Sequence, residues 1–148
     1  MSFLLSSARH SRWRWLAAVF LLANAAIHLD LAPMHLMEAP YIGVLFIVLS
    51  AACIVLALLL IFFDNVAVWS STAALSLLAL IAFLASRTVG LPQIDDDIGN
   101  WTEPLGYPNV VIEVLTLVVA AAVMRSILRV KAACAGHPDQ PEPCDGAP

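Results

Sequence analysis

Residues 41–63 read YIGVLFIVLSAACIVLALLLIFF, 23 consecutive positions without a charged side chain. As a helix rising 1.5 Å per residue, such a run is about 35 Å long, enough to cross a hydrocarbon core of about 30 Å with some tilt. The rest of the chain has the same character: 61% of its 148 residues are hydrophobic, 12% are charged, and the mean hydropathy is +0.90. A water-soluble globule does not normally reach these values, so the sequence predicts an integral membrane protein whose first partner is the lipid bilayer. The net charge of −4 arises from acids clustered at a few places, and no basic stripe is present. Nucleic-acid binding is thereby excluded as a function class.

Downstream of this run, Asp64-Asn65 supplies a two-residue polar break, and residues 66–86 give 21 further uncharged positions. A connection so short predicts an antiparallel hairpin. Upstream, Pro33 and Pro40 bound a short segment, and Pro33 is expected to end or kink the preceding helix because proline has no N–H and its ring meets the carbonyl four residues earlier. The first span is therefore placed at about residues 15–32, after an interfacial anchor of Arg9, Arg12, Arg14, Trp13 and Trp15. Ala23-Asn24-Ala25 imitates a signal-peptide cleavage site, but apolar sequence continues through Ile27, Leu29 and Leu31, which favours an uncleaved helix. Residues 87–108 are rich in turn formers and acids and are expected to form a loop of about twenty residues. A fourth span is placed at about residues 108–124, stopped by Arg125, Arg129 and Lys131.

The fold class expected is all-α, a four-helix transmembrane bundle over residues 1–131, with a disordered cytoplasmic tail over residues 132–148 that is too poor in apolar residues to pack. Six of the seven Lys and Arg residues lie at the two ends of the chain, which predicts cytoplasmic termini in a bacterial plasma membrane. The segment from His28 to Glu38 and the acidic loop would then share the outer face.

That segment holds the residues best suited to chemistry. His28 and His35 are seven apart, about 10.5 Å along a straight helix, too far for one metal ion. A break at Pro33 would let His35 fold back, and a short helix over residues 33–39 would put His35 and Glu38 on one face at i, i+3 spacing. Glu113, among valines and leucines in the last span, is a carboxylate where charge is expensive. The expectation is a metal site of His28, His35, Glu38 and Glu113 at the outer end. Its imidazole and carboxylate ligands would suit zinc, copper or iron.

Each residue has a plainer reading beside that one. Either histidine can rest at the interface on water or a carbonyl, Glu38 can be a solvated loop acid, and Glu113 can form a structural ion pair with Arg87. Asp95-Asp96-Asp97 lacks the alternating spacing of an EF-hand loop and reads as solvated negative surface. Cys134, His137 and Cys144 form a weak thiol and imidazole set in Pro- and Gly-rich sequence. No phosphate-binding glycine loop, GxSxG or HExxH pattern occurs, so no catalytic residue is assigned.

The pattern H-x6-H-x2-E-x-P-Y-x-G from His28 to Gly43, S-R-T-x-G-L-P from Ser86 to Pro92, and a glutamate in the last span resemble a group of small four-span bacterial membrane proteins without an assigned activity. The resemblance covers about residues 15–130 and implies the topology, and that the loop after Arg87 belongs to the group's pattern. The function expected is binding of a metal ion or polar small ligand at the outer face, as an accessory to metal handling or a redox system. One alternative is a non-catalytic structural or assembly subunit of a membrane complex, in which His28, His35 and Glu38 contact a membrane-protein partner or lipid head groups. The other is a proton-coupled transporter using Glu113, for which a homo-oligomer is the expected form.

Overall fold

The computed structural model describes residues 12–63, 65–94 and 97–135. Four helices occupy them: α1 Trp13–Glu38, α2 Pro40–Phe63, α3 Val66–Thr88 and α4 Gly106–Ala135. Each contains a stretch long and apolar enough to cross a membrane. The all-helical, four-helix architecture expected from the uncharged runs is what the described residues adopt. Large apolar side chains such as Val55, Leu58, Ile81, Leu84, Val111 and Val118 are exposed around the bundle, as a lipid-facing surface requires.

Local chemistry explains the helix boundaries. The Asn65 side chain caps α3, accepting a hydrogen bond from the Val68 amide at 3.0 Å. At the other end of α3 the amides of Val89 and Gly90 both donate to the Ala85 carbonyl, and Gly90 takes a φ of 83°, a left-handed helix end that glycine tolerates. Between α1 and α2 only Ala39 is non-helical, and Pro40 occupies the first position of α2, where its missing N–H costs nothing. The hairpin this makes is tight: a Cβ added at Gly43 would stand 2.6 Å from the Leu36 backbone nitrogen.

Two boundaries differ from expectation. α1 does not stop at Ala32 but runs through Pro33 to Glu38. The loss of one hydrogen bond at Pro33 is tolerated because leaving the helix within a membrane would strand several backbone groups instead of one. α4 likewise passes the basic residues and continues to Ala135, so residues 132–135 of the expected tail are helical. Residues 136–148, including His137 and Cys144, lie outside the described residues, as do residues 1–11 with Arg9, and Asp95 and Asp96.

The helices are antiparallel to their chain neighbours. The Ala39 turn and residues 89–94 and 97–105 meet at one end, here the loop end, where the Tyr41 hydroxyl donates to the Pro92 carbonyl at 2.6 Å. The main core fills the opposite, terminal half. Ala17, Ala18, Leu21 and Ala25 of α1 meet Cys53, Ala57 and Leu60 of α2, Trp69 of α3 and Ala120 of α4. Small residues predominate there and let the backbones approach. α1 packs extensively on α2, and α3 on α4, whereas α2 and α3 meet only thinly. The bundle is therefore solid toward the termini and parted toward the loop end.

Candidate functional site

The parting of α2 and α3 leaves a cavity of about 430 Å³. Its walls are Leu45, Phe46 and Leu49 of α2 and Leu75, Leu78 and Ala79 of α3. The polar lining comes from His28 and His35 of α1, Ser86 and Arg87 of α3, Asp97 and Glu103 of the loop and Asn109 of α4. The volume lies within the usual range for small-molecule sites, about 300–1,000 Å³.

Both histidines are held by their own helix. His28 Nδ1 lies 3.0 Å from the Asn24 carbonyl, and His35 Nδ1 lies 3.0 Å from the Leu31 carbonyl. A carbonyl oxygen only accepts, so each Nδ1 carries the proton and donates, and in the neutral ring Nε2 is left as the acceptor. Phe46 packs against both rings, with centroids 4.9 Å from His28 and 4.8 Å from His35. The two side chains are 5% and 8% exposed. The cavity is thus offered two imidazoles of fixed orientation, each with one acceptor nitrogen.

Arg87 closes the loop end. It is 4% exposed, and its two terminal nitrogens engage Asp97, at 2.5 Å, and Glu103. Its guanidinium lies 5.1 Å from the Phe83 ring centroid. The Arg87 carbonyl also accepts from the Gly99 amide at 3.0 Å, so the residue ties the loop to α3 through backbone and side chain. The expected Arg87–Glu113 pair is replaced by these two loop carboxylates, which reach the guanidinium from outside the span. Asp97, expected as part of a solvated acidic surface, is instead a structural partner.

Glu113 is fully buried elsewhere. Its Oε1 accepts from Asn24 Nδ2 at 3.3 Å and from Asn109 Nδ2 at 3.2 Å. Since His28 donates to the Asn24 backbone, His28 and Glu113 are linked through Asn24.

The four-ligand metal site does not assemble. With α1 continuous through Pro33, His28 and His35 remain two turns apart, and Glu38 is exposed at the helix end. Among the described residues no three His, Cys, Asp or Glu side chains group as metal ligands. Neither Asn24 nor Asn109 is assigned to the site by its sequence context, although each carries a spacing signal: Asn24 precedes His28 by four and Asn109 precedes Glu113 by four, one helical turn on the same face. Nothing comparable announces the Arg87 partners, which depend on how the loop folds back.

Comparison with family models, curated proteins and solved structures finds no match for this chain.

Proposed function

We propose that this protein is a small integral membrane protein that binds an amphipathic small molecule in the cleft between α2 and α3, with the molecule's hydroxyl-bearing head at the loop end. The observation that carries this reading is the cavity itself, apolar along both helices and polar at His28, His35 and Asn109. Nε2 acceptors on two oriented imidazoles favour a head that donates O–H, and the apolar walls favour a hydrocarbon body. A transition metal is not part of this reading, because its four expected ligands are dispersed.

The orientation belongs to the same proposal. Arg12, Arg14, Arg125 and Arg129 lie toward the terminal end, whereas Arg87 at the loop end is matched by two carboxylates. The positive-inside tendency then puts the termini in the cytoplasm and the cavity toward the outer leaflet.

The test uses 4-decylphenol and its methyl ether as probes, with thermal unfolding of the detergent-purified protein as readout. The phenol should raise the unfolding temperature saturably and the ether should do so less, because it cannot donate to an imidazole. Ala79→Phe, which fills the cavity wall, should abolish the difference. Equal responses to phenol and ether, or an undiminished response in Ala79→Phe, would exclude this site.

A further inference from the structure

The cavity does not account for the group behind it. Both carboxamides that touch Glu113 donate to the same oxygen, Oε1. Three buried oxygens therefore have no hydrogen-bond partner among the described residues: Glu113 Oε2, Asn24 Oδ1 and Asn109 Oδ1. Their residues are 0%, 2% and 7% exposed. An amide's oxygen and nitrogen are at most about 2.6 Å apart, so both Oδ1 atoms lie within about 6 Å of Glu113 Oε1. One carboxylate and two carboxamides are thus gathered between α1 and α4 with more acceptor than donor atoms.

We propose that Asn24, Asn109 and Glu113 form a binding site for a monovalent alkali cation.

The ligand chemistry fits a hard cation, which takes carboxylate and carbonyl oxygens. The spacing fits as well. The last torsion of asparagine is soft, and turning either amide exchanges its nitrogen for its oxygen. Oxygens would then stand about 3.2–3.3 Å from Oε1, close to the 3.3–3.7 Å separating neighbours in an octahedral shell around a calcium-sized ion with metal–oxygen bonds of about 2.3–2.6 Å, a size that sodium shares. Charge selects the valence: one carboxylate neutralises a monovalent ion, whereas a divalent ion would leave an uncompensated charge within the bundle. Glu113 is seven residues from the start of α4, about 10.5 Å along its axis, and Asn109 lines the cavity. An ion entering from the loop end therefore meets Asn109 first. The site shares only Asn109 with the cavity, and its test uses no phenol-type ligand, so the two readings stand or fall separately.

The full chain, purified in detergent at one fixed pH, is unfolded thermally in choline chloride and in lithium, sodium or potassium chloride at equal ionic strength. Binding of ²²Na⁺ is measured in parallel by scintillation proximity. At least one alkali cation should raise the unfolding temperature saturably above the choline value. Glu113→Gln should abolish that increment, and Asn24→Ala and Asn109→Ala should each raise the half-saturating concentration about tenfold or more. No alkali-specific increment up to 0.5 M would overturn the site, as would an unchanged increment in Glu113→Gln. If Glu113→Gln does not purify folded, an unchanged half-saturation in Asn109→Ala gives the same refutation.

Discussion

Replacing Arg87 and replacing its two partners should have unequal effects, although both remove the same ion pairs. Arg87 is 4% exposed while Asp97 and Glu103 retain 24% and 23%. In Arg87→Met the carboxylates are freed on a loop that already touches solvent, so they rehydrate, and the methionine keeps part of the packing on Phe83. Hydrogen bonds to charged groups contribute about 1.5–3 kcal/mol each, and discounting two of them for partial exposure leaves a destabilisation of about 2–3 kcal/mol. In Asp97→Asn with Glu103→Gln, the guanidinium stays buried with no counterion. Removing one side of a buried pair costs about 3–5 kcal/mol, so the double variant should be the less stable by about 1 kcal/mol or more.

Thermal unfolding in one detergent measures this difference. For a chain of this size about 1 kcal/mol corresponds to about 2–4 °C, so the double variant should melt at least about 2 °C below Arg87→Met. Combining all three substitutions removes the stranded cation, and the triple variant should melt above the double. That ordering, in which a third substitution restores stability, is the signature of a coupled charge network rather than of three separate contacts. A double variant that melts at or above Arg87→Met would refute the reasoning, because it would mean that water reaches the guanidinium without its partners.

Three further outcomes follow from the packing. Gly43→Ala must push α2 away from the Leu36 backbone and should cost about 1–3 kcal/mol, measured by the same thermal unfolding; a neutral result would show the hairpin to be looser than described. Pro33→Ala restores an N–H to a helix that is already continuous, so it should leave 4-decylphenol binding within about twofold and the unfolding temperature equal or higher; a loss of binding would mean that His28 and His35 depend on a proline bend. Cys53 is a free thiol, 1% exposed in the main core, and should react with a membrane-permeant maleimide only after unfolding, as followed by mass spectrometry; rapid labelling of the folded protein would contradict the tight terminal half.

The contrast between Pro33 and residues 41–63 shows what was legible in advance. An uncharged run of 23 residues has essentially one solution in a bilayer, because every backbone group must be bonded within the segment. The same rule, applied to Pro33, argues for continuing the helix rather than ending it; the soluble-protein habit of stopping at proline points the other way. From that one boundary the metal expectation unravels: His28 and His35 keep their two-turn separation, and Glu38 is carried away to the exposed end of α1. What replaces it was only partly visible. Glu113 stands out because a carboxylate in a span is costly, and among charged residues Arg87 is the partner its position suggests. Two carboxamides answer the same need without bringing a second charge into the span, and they lie where a hydrogen-bonding residue one turn from His28 and one turn from Glu113 would have to lie. Arg87 then required counterions of its own. At the end of α3 it could draw them from the adjoining acidic loop, whose carboxylates remain partly in water and so lose less hydration on pairing than Glu113 would. The choice of partner for each charge follows from where desolvation is least, a quantity that depends on the folded loop and not on residue spacing.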